Sequence, residues 1–196
     1  MRHNELRDIT AELLQEVCKD VQTEPKLAEL TGEKFKLRST NTENEARLDI
    51  ACRGFWSTGT RALLDIRVFN PLAKSYLDKS VTEAHKANEQ QKKRTYNQRV
   101  IDVEHSSFTP LIFSCFGGMS KECTTFYKHL SELLAEKRDE PYYKISNYIR
   151  TRMSFSLIRV AIICIRGWRG KIKEDYSKIV ELDIPSVIDD AKIDKQ

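Results

Sequence analysis

Two carboxylates set inside apolar, strand-forming runs constrain this chain more than any other feature. The first run is Ala46-Arg47-Leu48-Asp49-Ile50-Ala51-Cys52 and the second is Ala62-Leu63-Leu64-Asp65-Ile66-Arg67-Val68. A carboxylate inside a buried strand is costly unless a cation or a donor meets it. Two of them on neighbouring strands make a hard-cation site of the kind Mg²⁺ prefers. The polar stretch that follows ends in Glu89-Gln90-Gln91-Lys92-Lys93-Arg94-Thr95-Tyr96. An ammonium from it completes the equipment for hydrolysing a phosphodiester.

The length of 196 residues suits one domain. The net charge of +4 is unevenly spread. Residues 174–196 hold seven acids against three lysines, which leaves residues 1–173 at +8. The chain therefore divides into a basic domain, 1–173, and an acidic C-terminal tail, 174–196. A basic body suggests a polyanionic partner, nucleic acid first, with a solvated mixed-charge surface as the alternative. The cysteines Cys18, Cys52, Cys115, Cys123 and Cys164 are scattered, odd in number and lack a C-x-x-C pair. That argues against zinc and against a disulfide framework, and for a reducing nuclear or cytoplasmic setting. No signal peptide is recognised at the N-terminus. The longest apolar stretch, residues 153–165, contains Arg159 and is too short to span a bilayer, so no membrane partner is expected.

Along the chain, Leu6, Ile9, Leu13, Leu14, Val17 and Val21 recur at helical spacing and predict a helix over residues 4–21. Glu24-Pro25 ends it, because the residue before proline is pushed out of the α region. A short strand over 34–38, a polar loop over 39–45, and strands over 47–53 and 61–69 follow. The last two are joined through a hairpin containing Gly54 and Gly59. A polar helix over 73–98 carries a thin apolar stripe of Leu77, Val81 and Ala84. Strands over 99–104 and 110–116 come next, the second a continuous apolar run expected at the centre of a sheet. Gly117-Gly118 turns the chain into a helix over 120–138, N-capped by Ser120. A last helix covers 142–166, with Gly167 as its C-cap. The fold class is α/β: a small mixed sheet flanked by helices, with extra helices at the C-terminus.

This order, with Asp49, Asp65 and Lys93, resembles the PD-(D/E)xK nuclease superfamily, whose core is restriction-endonuclease-like. Within it, the chain is most similar to the restriction-like endonuclease domain of non-LTR retrotransposons. The resemblance rests on His3 and Arg7 at the first helix, Glu24-Pro25, Leu48-Asp49, Asp65-Ile66-Arg67-Val68, Lys93-Arg94-Thr95-Tyr96 and the apolar strand running into Gly117-Gly118. It covers roughly residues 3–118. Two positions depart from the pattern: Leu48 stands where the family has proline, and Arg67 where many members have lysine. The resemblance implies that the lysine has moved onto the following helix, at Lys93. It further implies an Mg²⁺-dependent endonuclease acting on DNA, with Mn²⁺ as a substitute metal. A homodimer, or a larger retroelement polypeptide around the domain, are the assemblies it suggests.

On this reading Asp49 and Asp65 bind the metal, and Glu24 reaches it from the end of the first helix. The alternatives are turn-capping aspartates and a helix-terminal glutamate. Lys93 is the basic catalyst, with Lys92 and Arg67 as rivals, and Tyr96 holds it or a phosphate. Against this stands a solvated helix face carrying a Glu89–Lys93 pair. Lys86, Lys92, Arg94 and Arg99 are the nucleic-acid-binding set. A second basic group, Arg166, Arg169, Lys171 and Lys173 around Trp168, either stacks on bases or complements a helix C-terminus. Phe55-Trp56 is read as core, and His105 and His129 as structural or surface residues. The alternative function is a catalytically inactive relic of the same fold that binds nucleic acid or protein. A structural interaction domain is a third.

Overall fold

Sequence spacing builds the first element directly. In a computed structural model that describes residues 3–166, α1 (Asn4–Val17) buries Leu6, Ile9, Leu13 and Leu14 along one stripe. Three strands follow: β1 (Lys19–Thr23), β2 (Ile50–Arg53) and β3 (Arg61–Phe69). After a single 3-10 turn at Lys74–Tyr76 come α2 (Val81–Asp102), β4 (Ser107–Ser114), α3 (Lys121–Arg138) and α4 (Tyr142–Arg166).

The four strands form one sheet in the order β1-β2-β3-β4. The first three make an antiparallel meander, and β4 lies parallel to β3. The hairpin between β2 and β3 turns at Gly54 and Gly59, whose φ angles of +90° and +81° only glycine adopts without strain. Side chains alternate across the sheet. Ile50, Cys52, Ala62, Leu64, Ile66, Leu111 and Phe113 pack against α1, α3 and α4 in the main core. Ala51, Leu63 and Phe108 point the other way and meet Leu27, Leu48 and Val100 beneath α2. Phe69 and Ile112 meet Ala84 further along the same face. The central strands are thus covered on both faces, as their near-continuous apolar sequences require.

Several expected elements shift. The first helix stops at Val17 rather than at 21, and residues 19–23 form β1 instead. Glu24-Pro25 therefore closes a strand, with Glu24 left-handed at φ +53°. β1 is an edge strand exposed at four of its five positions, so it carries no alternating pattern to read. Residues 34–38 form no strand. The helix expected from 73 begins at Val81, where Ser80 and Glu83 form a reciprocal capping box. It runs through 99–102, overriding the β-branched residues that suggested a strand at 99–104, because Arg99 and Val100 continue its buried face. Leu77 and Val81, read as its apolar stripe, are exposed. β4 starts earlier and ends at Ser114, leaving Phe116 exposed. Ser120 caps α3 as expected. Residues 167–196 lie outside the described residues, and with them Gly167, the basic group at Trp168, Arg169, Lys171 and Lys173, and the acidic tail.

Candidate metal and phosphodiester site

β2 and β3 bring the two aspartates together. Ile50 pairs with Leu64 and Ala51 with Leu63, so one more step of the register sets Asp49 opposite Asp65. Directly opposed residues share a face, with Cβ atoms about 4.5–5.5 Å apart. That face is the one α2 covers, since Ala51 and Leu63 lie on it. The Asp49 carboxylate reaches across the strand gap, and its Oδ2 accepts the Ile66 N–H at 2.5 Å. Asp65 sits in the middle of β3 and is only 6% exposed.

Each carboxylate has its own cation. Lys92 Nζ lies 2.6 Å from Asp65 Oδ2. His3 Nε2 lies 3.0 Å from Asp49 Oδ1. Burial pushes the Asp65 carboxyl above its ordinary value; the Lys92 charge and hydrogen bond oppose that shift, Asp49 adds to it and His3 works against it. Lys92 is itself positioned by Tyr96, one turn further along α2, with Nζ 5.7 Å from the ring centre. Tyr96 in turn leans on Phe108 of β4, ring centres 5.9 Å apart.

The lysine that meets Asp65 is therefore Lys92, not Lys93. Lys93 turns toward α3, forms an ion pair with Glu122 and is more exposed, at 42% against 22% for Lys92. Ala84, Asn88, Lys92, Tyr96 and Val100 recur every four residues and make the sheet-facing side of α2; Ala84, Asn88 and Val100 are buried. The same spacing in the sequence points to Lys92, but its polar members hide the stripe. Arg67 shares the face with Asp65, two residues on, and donates to Gln91 Oε1 at 2.7 Å.

Glu24 is beside Asp49 through the backbone, its N–H donating to the Asp49 carbonyl at 2.9 Å. Its side chain points to solvent and forms an ion pair with Arg7. Sequence reasoning missed His3 as a site residue; it entered only as part of a motif. Of the nucleic-acid-binding set, Lys86 and Arg94 are exposed on α2. Arg99 is fully buried and donates to the carbonyls of Ala28, Asn41 and Glu43 at 2.8–3.1 Å. It fastens the long loop between β1 and β2 and is not available to a phosphate.

The aromatic hairpin has a structural role. Phe55 is buried against Phe126. Trp56 is part-exposed, stacks on His129 at 5.5 Å and donates to Thr109 Oγ1 at 3.1 Å. No disulfide joins Cys18, Cys52, Cys115 and Cys123. Among the described residues no helix is long and apolar enough to cross a membrane. No three His, Cys, Asp or Glu side chains among them converge as a metal cage. Comparison with family models, curated proteins and solved structures finds no match to this chain.

Proposed function

We propose that this chain is an Mg²⁺-dependent endonuclease that hydrolyses DNA phosphodiester bonds, of the PD-(D/E)xK type found in non-LTR retrotransposons. The observation that carries the reading is Lys92 against the buried Asp65, with Asp49 directly opposite on the same face. The element order α1, β1–β3, α2, β4 supports a restriction-endonuclease-like core. The donor set fits Mg²⁺, which needs only one or two protein carboxylates and takes its other ligands from water and substrate phosphate. Mn²⁺ suits the same oxygens. A bound Mg²⁺ would polarise the scissile phosphate and lower the pKa of a coordinated water.

The chain's own residues have distinct tasks. Asp49 and Asp65 hold the cation between two strands that packing keeps fixed. Lys92, steadied over Tyr96, neutralises charge that develops on the phosphate oxygens. Lys86 and Arg94 contact backbone phosphates without reading sequence. A second reading, an inactive relic that binds nucleic acid, draws on one observation: both carboxylates already hold a cation from the chain.

Asp65→Ala separates the two. It should abolish Mg²⁺-dependent cleavage of DNA while leaving DNA affinity, measured by fluorescence anisotropy, within about threefold. Wild-type protein that binds DNA but never cleaves it in Mg²⁺ or Mn²⁺ would establish the relic instead.

A further inference from the structure

We propose that His3 and Lys92 act as resident counter-cations that keep a divalent metal out of the site until they are displaced. The proposal rests on the reading of Asp49 and Asp65 as metal ligands and concerns how that site is regulated. Two carboxylates face each other across β2 and β3, an arrangement that repels itself when both are charged. The fold answers with one cation on each: His3 Nε2 at 3.0 Å from Asp49, and Lys92 Nζ at 2.6 Å from Asp65. The two come from elements on opposite sides of the sheet, the start of α1 and the middle of α2. The remaining Asp49 oxygen is taken by the Ile66 N–H.

A metal that binds must therefore compete with two charges already in contact with its ligands. Removing either charge lowers the barrier to metal entry, since a positive group within about 4 Å repels a second cation strongly in a part-buried site. Lys92 and His3 differ in what else they do. Lys92 is packed over Tyr96. His3 stands at the N-cap position of α1 without a side-chain capping bond, so its ring can leave Asp49 without unravelling the helix.

Mn²⁺ binding to the full-length protein without DNA, followed at pH 8 by the loss of the free-ion electron paramagnetic resonance signal, tests this apart from activity. His3→Gln and Lys92→Met should each tighten Mn²⁺ by about tenfold or more, and Asp49→Asn should remove the site in every background. His3→Gln is the safer variant, because Lys92→Met leaves Asp65 buried without its partner and can cost stability. Affinities equal to wild type in both variants would overturn the resident-cation proposal while leaving the metal site standing. Weaker binding in His3→Gln would make His3 a ligand and overturn it as well. A protein whose Mn²⁺ binding ignores Asp49→Asn would remove the metal site and the nuclease reading together.

Discussion

At Asp65, burial and a cation pull in opposite directions, and burial prevails in the direction of the shift. The folded protein then holds this proton more tightly than the unfolded chain does. Its contribution to stability is complete below the unfolded-state pKa, near 3.9, and is lost as pH rises through the elevated folded value. Asp65→Asn removes that loss. Wild-type stability relative to Asp65→Asn, from urea unfolding between pH 4 and 8, should fall with rising pH by at most about 1.4 kcal/mol per unit. A difference that grows with pH would mean that Lys92 outweighs burial. Asp49 and Asp65 were legible in the sequence because charge inside an apolar run is rare and needs a reason. The choice between Lys92 and Lys93 was not. Tyr96 is one turn from both, and only the packing of α2 on the sheet decides which ammonium faces inward. Arg99 misled for a related reason: a guanidinium in a basic stretch reads as phosphate-binding, whereas this one is buried on three carbonyls.

Among the elements, α2 depends most on its ends and on a few inward contacts, because its sequence is polar almost all round. Ser80 and Glu83 satisfy two of the donors that a helix start leaves unpaired. Ser80→Ala should cost about 1 kcal/mol in denaturant unfolding. It should also raise hydrogen exchange in the first turn of α2 before exchange rises elsewhere. An unchanged midpoint would mean that the packing of Ala84 and Asn88 alone sets the start. The Ser-x-x-Glu signature was present in the sequence, and the helix start was misplaced because Leu77 and Val81 suggested an apolar stripe that the fold leaves in solvent. β1 was illegible for a different reason. Its five residues are mostly exposed and owe their conformation to pairing with β2, a long-range contact with no local periodicity. By contrast β3, β4, α3 and the hairpin glycines were readable, because burial and turn chemistry there agree with local preference.

For the molecule as a whole, a basic body offers long-range attraction to DNA, and the sheet supplies the fixed frame for two acids and a lysine. DNA affinity should fall with salt, each phosphate contact adding about 0.9 to the log–log slope for a duplex. Lys86→Glu with Arg94→Glu should flatten that slope and weaken binding irrespective of sequence; an unchanged slope would move the DNA elsewhere on the surface. The α/β class and the mixed sheet were legible from the order of apolar runs, whereas the pairing of each carboxylate with a cation depended on contacts between residues 46 and 27 positions apart in the chain, and no local pattern records those. The most direct test of the central claim is the single-turnover rate of Mg²⁺-dependent DNA cleavage at saturating enzyme, compared for Lys92→Ala and Lys93→Ala. Lys92→Ala should lose about 10²–10³-fold, the scale of removing one transition-state charge contact, and Lys93→Ala no more than a few-fold. Equal small effects of both, or a larger loss in Lys93→Ala, would contradict a centre built from Asp49, Asp65 and Lys92.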